Sequence, residues 1–259
     1  MRVRQAANVV SLLEYFAIRG EPATMAEIAD DLGWPRSSTF NIIGTLVEMG
    51  FFYEPRLRGG YYPSPRWQTI SQEISRKDPI PDVIRDLADR VCAETGETTA
   101  IGSMSGQSVV FIHVCQSRQP IRYHAEIGTT VPLHASSAGR SILAQMEPGE
   151  RDAFYRKLVF NKFSETTPMS IARIEADLTE AVSRGYHQSD SEYIADLTGV
   201  SLPLTYGCRR LSIVVAGPVS RSLSRRPQTA EVLRKTVADF GLQLWPEVNP
   251  AGLSGGSNA

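Results

Sequence analysis

The sequence predicts an α/β (α+β) chain with two domains: a winged helix-turn-helix first, then a larger domain mixing helices and strands. Three observations carry this expectation. The length, 259 residues, exceeds one minimal domain and suits two. The first sixty residues read as three short helices followed by an aromatic hairpin with a Pro- and Gly-rich turn. Beyond them, amphipathic helical segments interleave with short apolar runs that read as buried strands.

The N-terminal stretch MRVRQAANVVSLLEYFA is basic and then apolar, like a signal peptide. Its apolar positions Val9, Leu12, Leu13, Phe16 and Ala17 recur at helical spacing, and Glu14 interrupts them. The expectation is therefore an amphipathic helix in a cytoplasmic protein. No apolar run approaches the roughly 18 residues of a membrane span. Thr24 to Glu27 is a capping box opening a second helix, which buries Ile28 and Leu32 and ends at Gly33. Pro35 suits the first position of a third helix, running to Met49 and stopped by Gly50. Phe40, Ile43, Leu46 and Val47 are its expected buried stripe. Gly44 costs roughly 1 kcal/mol there relative to Ala and is expected to serve close packing on a neighbouring helix. FFYEPRLRGGYYPS then reads as a hairpin with Arg56 and Arg58 at its tip.

In a helix-turn-helix the second helix of the motif enters the major groove, N-terminal end first. Arg36 has the reach for a guanine edge or a phosphate, and Asn41 matches adenine's donor–acceptor edge. Ser37, Ser38 and Thr39 are short enough for close approach, and Thr45 lies on the same helix away from the stripe. Arg56 and Arg58 would meet phosphates or a minor groove. Taken singly, such serines are usually caps and such arginines solvated surface; the ordered combination points to double-stranded DNA. Charge does not help. The chain's net charge is −1, and Met1 to Arg76 holds eight basic and eight acidic residues. Glu27, Asp30 and Asp31 must then face away from DNA, and one copy would bind weakly, so a homodimer or homotetramer is expected.

The later elements follow. SPRWQTISQEISRKDPIP is a connecting helix ended by prolines. Helices are expected over Pro81 to Thr95, Ala135 to Met146, Ile171 to Arg184 and Gln228 to Trp245. Strands are expected over Thr98 to Ser103, Ser108 to Cys115, Val200 to Leu204 and Leu211 to Ala216. The expected division is 1–63 for the winged helix, 64–79 for the connecting helix, 80–246 for the second domain and 247–259 for a disordered tail, whose composition is Gly-, Ser- and Asn-rich.

The segments MAEIADDLGWPRSSTFNIIGTLVEMGFF, GGYYPSPRW, IGTTVPLHASSAGRSILAQM, RGYHQSDSEYIADLTGVSLPL and VVAGPVSR resemble, in order and over almost the whole chain, the IclR family of bacterial transcriptional regulators. That resemblance implies a GAF-like second domain: a central antiparallel sheet flanked by helices, with a pocket for a small organic effector. It places the effector's carboxylate at the backbone N–H groups of Ser137 and Ala138. Ser136 and Ser137 suit two roles there, helix cap or hydroxyl donor to the ligand. His134, just before this helix, suits a ligand contact or a loop carbonyl. Relatives that bind very small oxoacids carry an Asp, a Cys and two Ser where this chain has Ser189, Gly199, Val214 and Ala216. Three of the four have lost polarity, while Asp190 remains. The expected effector is therefore an aromatic or partly apolar acid or amide.

Cys92, Cys115 and Cys208 lack the spacing of a disulfide framework or a zinc site, and no metal or cofactor is expected. A hydrolase or transferase using Cys115 or Ser137 would need a nucleophile elbow, phosphate loop or metal cluster, and none is present. A protein-binding winged helix is the other reading, kept open by the near-neutral first domain.

Overall fold

The structure is a computed structural model that describes residues 3–57, 59–77 and 80–244. Arg58, Trp245 and the expected tail lie outside the described residues. The chain divides into two compact units, Met1–Pro79 and Ile80–Ala259.

The first unit contains α1 (Arg4–Arg19), α2 (Met25–Asp31), α3 (Arg36–Glu48), the antiparallel pair β1 (Phe52–Tyr53) and β2 (Tyr62–Pro63), and α4 (Arg66–Lys77). Thr24 closes its capping box on Glu27: the hydroxyl accepts from the Glu27 N–H, and the carboxylate accepts from the Thr24 N–H at 2.8 Å. Leu12, Phe16, Ile28, Ile43, Leu46 and Phe52 form the core, with Phe16 edge-on to Phe52 and Tyr62. Each such buried side chain contributes roughly 1.5–3 kcal/mol. Ala23 pairs with Tyr61 through two backbone hydrogen bonds, so the segment before α2 adds a rung to the wing. Ser64 donates to Gly50 O, Trp67 Nε1 to Phe51 O and Arg66 to Met49 O, fixing the start of α4 on the wing.

Two expectations for α3 are corrected. Its buried stripe is Thr39, Ile43 and Leu46, whereas Phe40 is 61% exposed and Val47 is also exposed. The phase follows from 3.6 residues per turn: Thr39 lies one turn before Ile43, and Phe40 falls about 100° away. Thr39 tolerates burial because its hydroxyl donates to Pro35 O, one turn back. Gly44 does not serve close packing, since a Cβ there would meet nothing within 4 Å.

The second unit opens with α5 (Asp82–Thr95) and a hairpin of β3 (Thr98–Ser105) and β4 (Ser108–Cys115). Next come β5 (Thr130–Pro132), α6 (Ser137–Leu143), α7 (Pro148–Tyr155) and α8 (Ile171–Arg184). It closes with β6 (His187–Asp190), the long hairpin β7 (Leu197–Tyr206) and β8 (Arg209–Pro218), α9 (Val219–Ser222), α10 (Arg226–Asp239) and β9 (Gln243–Leu244). The strands make one antiparallel sheet in the order β5-β4-β3-β8-β7-β6, with β9 also on β7. Helices cover both faces, so β8 is buried on both sides and reads as the apolar run Ile213 to Ala216. One face packs Ile84, Leu87, Leu233 and Val237 of α5 and α10 on Ile101, Leu202 and Ile213. The other packs Ile142, Leu143, Ile174 and Leu178 of α6 and α8 on Ala100, Val109 and Val214. The expected helix Gln228 to Trp245 is corrected: α10 ends at Asp239, Gly241 turns the chain with φ 65°, and β9 joins the sheet.

Candidate DNA-reading surface and effector cavity

The outward side of α3 carries exposed Arg36, Ser37, Phe40, Asn41 and Thr45, with Ser38 half-buried. Arg36 and the Asn41 side chain have no hydrogen-bond or ion-pair partner among the described residues, so their donors are available to an incoming surface. Thr45 donates its hydroxyl to Asn41 O at 2.7 Å, which leaves it an acceptor toward anything outside. Thr39 is removed from the reading set, because it is fully buried. Arg56 is exposed in the wing turn.

Two of the acids that threatened this surface are occupied. Arg19 of α1 pairs with Glu27 at 2.9 Å and Asp31 at 3.3 Å, and Tyr15 donates to Asp31 at 2.8 Å. Hydrogen bonds from Thr24, then from Arg19, hold the Glu27 carboxyl down at about 2. The first unit's electrostatic neutrality is therefore partly internal pairing.

In the second unit, the first turn of α6 and the ends of β6, β7 and β8 bound a small cavity of about 40 Å³. Ser136, Ser137, Ala138, Ser189, Gly199, Val214 and Ala216 all line it. Gly139 is what lets α6 sit this low: a Cβ there would lie 2.1 Å from Leu133 O. Gly199 does the same for the cavity, since its Cβ would lie 2.6 Å from Ser137 Oγ and 3.0 Å from Ser189 Oγ. Those two hydroxyls converge over Gly199 without partners among the described residues. Ser136 takes the capping role, accepting from Gly139 N and donating to Pro132 O, so it has no donor left for a ligand.

Two expected pocket residues lie elsewhere. His134 is buried beside the cavity, but its Nε2 donates to Asn161 O at 3.0 Å and its ring packs on Phe160 and Phe163. Burial lowers its pKa and keeps it neutral. Asp190 follows Ser189 on β6, and successive strand residues face opposite sides. It accepts from Ser191 and approaches Arg226 at 3.9 Å, in a separate polar hollow.

The remaining walls come from Phe111, Val131, Ile194, Leu197, Tyr123, Tyr193 and Glu192, none of which the sequence patterns single out. Glu192 brings no free charge. Fully buried Arg140 of α6 grips it with both guanidinium nitrogens, at 2.7 and 3.0 Å, and also donates to His134 O and Gln188 O. Tyr123 and Tyr193 have no hydroxyl partners among the described residues. Burial, then Tyr193, pushes the Tyr123 phenol up to about 12, so it is a neutral donor near pH 7. The cavity is thus apolar in its walls, uncharged overall and furnished with four unengaged hydroxyls.

A helix-turn-helix with a β-wing, followed in one chain by an α/β unit holding a small lined cavity, defines a ligand-responsive, DNA-binding transcriptional regulator. The chain belongs to the IclR family: residues 72–241 match the bacterial transcriptional regulator IclR C-terminal domain, and residues 5–54 match the IclR helix-turn-helix domain. This is a family of transcriptional regulators, not of enzymes. The HTH-type transcriptional repressor AllR of Escherichia coli K12 is 23% identical over 244 residues, covering 93% of this chain and 90% of AllR. The regulator BhcR of Paracoccus denitrificans is 24% identical, covering 86% of this chain and 81% of BhcR. Among solved structures, IclR of Thermotoga maritima shares the fold with a TM-score of 0.71 at 18% identity, covering 92% of this chain and 98% of that one. An IclR homologue of Microbacterium hydrocarbonoxydans, solved in complex with 4-hydroxybenzoate, has a TM-score of 0.68 at 20% identity, covering 91% and 97%. No helix among the described residues is long and apolar enough to cross a membrane.

Proposed function

We propose that residues 1–63 bind double-stranded operator DNA in the cytoplasm, as a homodimer or homotetramer, and that residues 80–246 sense an aromatic or partly apolar acid or amide. Residues 64–79 connect the two. Arg36, Ser37 and Asn41 meet the major groove, Ser38 and Thr45 flank them, and Arg56 and Arg58 meet phosphates or a minor groove. Ser137, Ser189 and the N–H groups of Ser137 and Ala138 hold the effector's polar end over Gly199, while Val214 and Ala216 face its apolar body.

The observation that carries the DNA half is the outward side of α3, where Arg36 and Asn41 are exposed with no side-chain partner among the described residues. The effector half rests on the apolar cavity walls with hydroxyls clustered over Gly199. The neighbour holding 4-hydroxybenzoate supports an aromatic ligand, and the relative named a repressor supports repression. A gel-shift titration against the DNA upstream of the chain's own gene tests the first half. The wild type is expected to bind with steep salt dependence, and the double variant Arg36→Ala, Asn41→Ala to lose at least tenfold in affinity. Undiminished binding by that variant would refute the residue assignment. Absence of binding, or binding that ignores salt, would favour a protein partner for the winged helix.

A further inference from the structure

We propose that Phe40 is a sequence-reading residue, packing its ring on the 5-methyl group of a thymine in the major groove while Gly44 lets the helix approach. The inference rests on the DNA-binding reading of α3 and goes beyond it, because it fixes a base preference.

Neither residue is explained by the fold. Phe40 is 61% exposed, and the core of the unit is completed by Thr39, Ile43 and Leu46 instead. A single exposed aromatic is ordinary on a protein surface. Its location here is not neutral ground, because Ser37, Asn41 and Gly44 share the outward side at helical spacing with it. Gly44 lowers the propensity of a helix interior, yet a Cβ would meet nothing within 4 Å, so no contact among the described residues requires glycine. A large apolar ring beside a missing side chain fits an external surface that comes close and presents something apolar. The major groove offers one such feature, the thymine methyl. Asn41, next in sequence, offers the donor and acceptor pair that matches adenine, so the contacted thymine falls within a base pair or two of that adenine. The acidic end of the helix, Glu48, lies three turns from Arg36 and outside the groove when the N-terminal end enters first.

The test uses the full chain and the tightest-binding duplex recovered from a random-sequence pool. Each dT is replaced in turn by dU, which keeps the base pair and removes only the methyl. One position per half-site is expected to weaken binding about fourfold, the value of one buried methyl, and about sixteenfold when both half-sites are changed. Phe40→Ala is expected to bind the parent duplex at that weakened level and to show no dT/dU difference, with an unchanged melting temperature. Gly44→Ala is expected to raise the melting temperature and still weaken DNA binding. Equal dT/dU discrimination in wild type and Phe40→Ala, or no sensitive thymine at all, would overturn the proposal while leaving DNA binding intact. Failure to recover any duplex would overturn the DNA-binding reading itself.

Discussion

His187 sits on β6 with 2% exposure, and neither ring nitrogen has a partner among the described residues. Burial, reinforced by the nearby positive charges of Arg140 and Arg184, drives its pKa down to about 3. An unfolded histidine titrates near 6.5. Between those values the unfolded chain binds the extra proton, so this group's contribution is fully present above pH 6.5 and is lost as pH falls toward 3. At pH 5 the loss is roughly 2 kcal/mol. His187→Leu removes both the titration and two unsatisfied nitrogens. Its urea midpoint is expected to match or exceed wild type at pH 7.5 and to fall less between pH 7.5 and 5. His134 is depressed in the same direction, so part of the wild-type slope remains in the variant. An identical slope in the two proteins would show that His187 does not enter folding neutral.

At the scale of elements, α6 joins the core to the cavity. Every residue from Ser137 to Leu143 is buried, including Arg140, which holds Glu192 in two bonds and lies 3.9 Å from Asp177. Removing one member of such a pair leaves an uncompensated buried charge, whereas replacing both with apolar groups is often neutral. Arg140→Met alone is therefore expected to cost about 3–5 kcal/mol in urea unfolding. Adding Glu192→Leu is expected to recover much of that; a double variant as unstable as the single would mean that the partners left behind, Asp177 and the His134 and Gln188 carbonyls, matter more than Glu192. Elements with local stop signals were legible in the sequence. α8 begins and ends at the expected residues because Ser170 caps it and Gly185 turns it off. Features without a local signal are not legible in this way. The phase of α3 was misplaced at Phe40, because an apolar residue on a helix is assumed to face inward while Thr39 can bury its hydroxyl against its own backbone. β6 is a polar stretch, His187 to Asp190, whose strand character comes from pairing with β7. The cavity was half legible for the same reason. Its floor lies on motif residues, but Tyr123 reaches it from outside the motifs, and Glu192 and Tyr193, though inside one, lie in a stretch with no period to show which way they face.

Across the whole molecule, the two units matter to each other only through free energy, and that coupling must be reciprocal. If an acid bound over Gly199 weakens operator binding by some factor, operator DNA weakens binding of the acid by the same factor, whatever the structural route between them. Calorimetry with 4-hydroxybenzoate on the full chain, with and without a saturating duplex, measures one side; a DNA titration with and without the acid measures the other. The expected factor is about 5–150, the usual size of such couplings. Glyoxylate and pyruvate are expected to bind far more weakly, because they cannot cover Phe111, Val131 and Val214 and so gain only the polar contacts over Gly199. Tight glyoxylate binding with none for the aromatic acid would sink the ligand class while sparing the coupling. Equal affinity of the acid for free and DNA-bound chain would do the opposite: a ligand that does not distinguish two states of the protein cannot shift it between them, however well it fits.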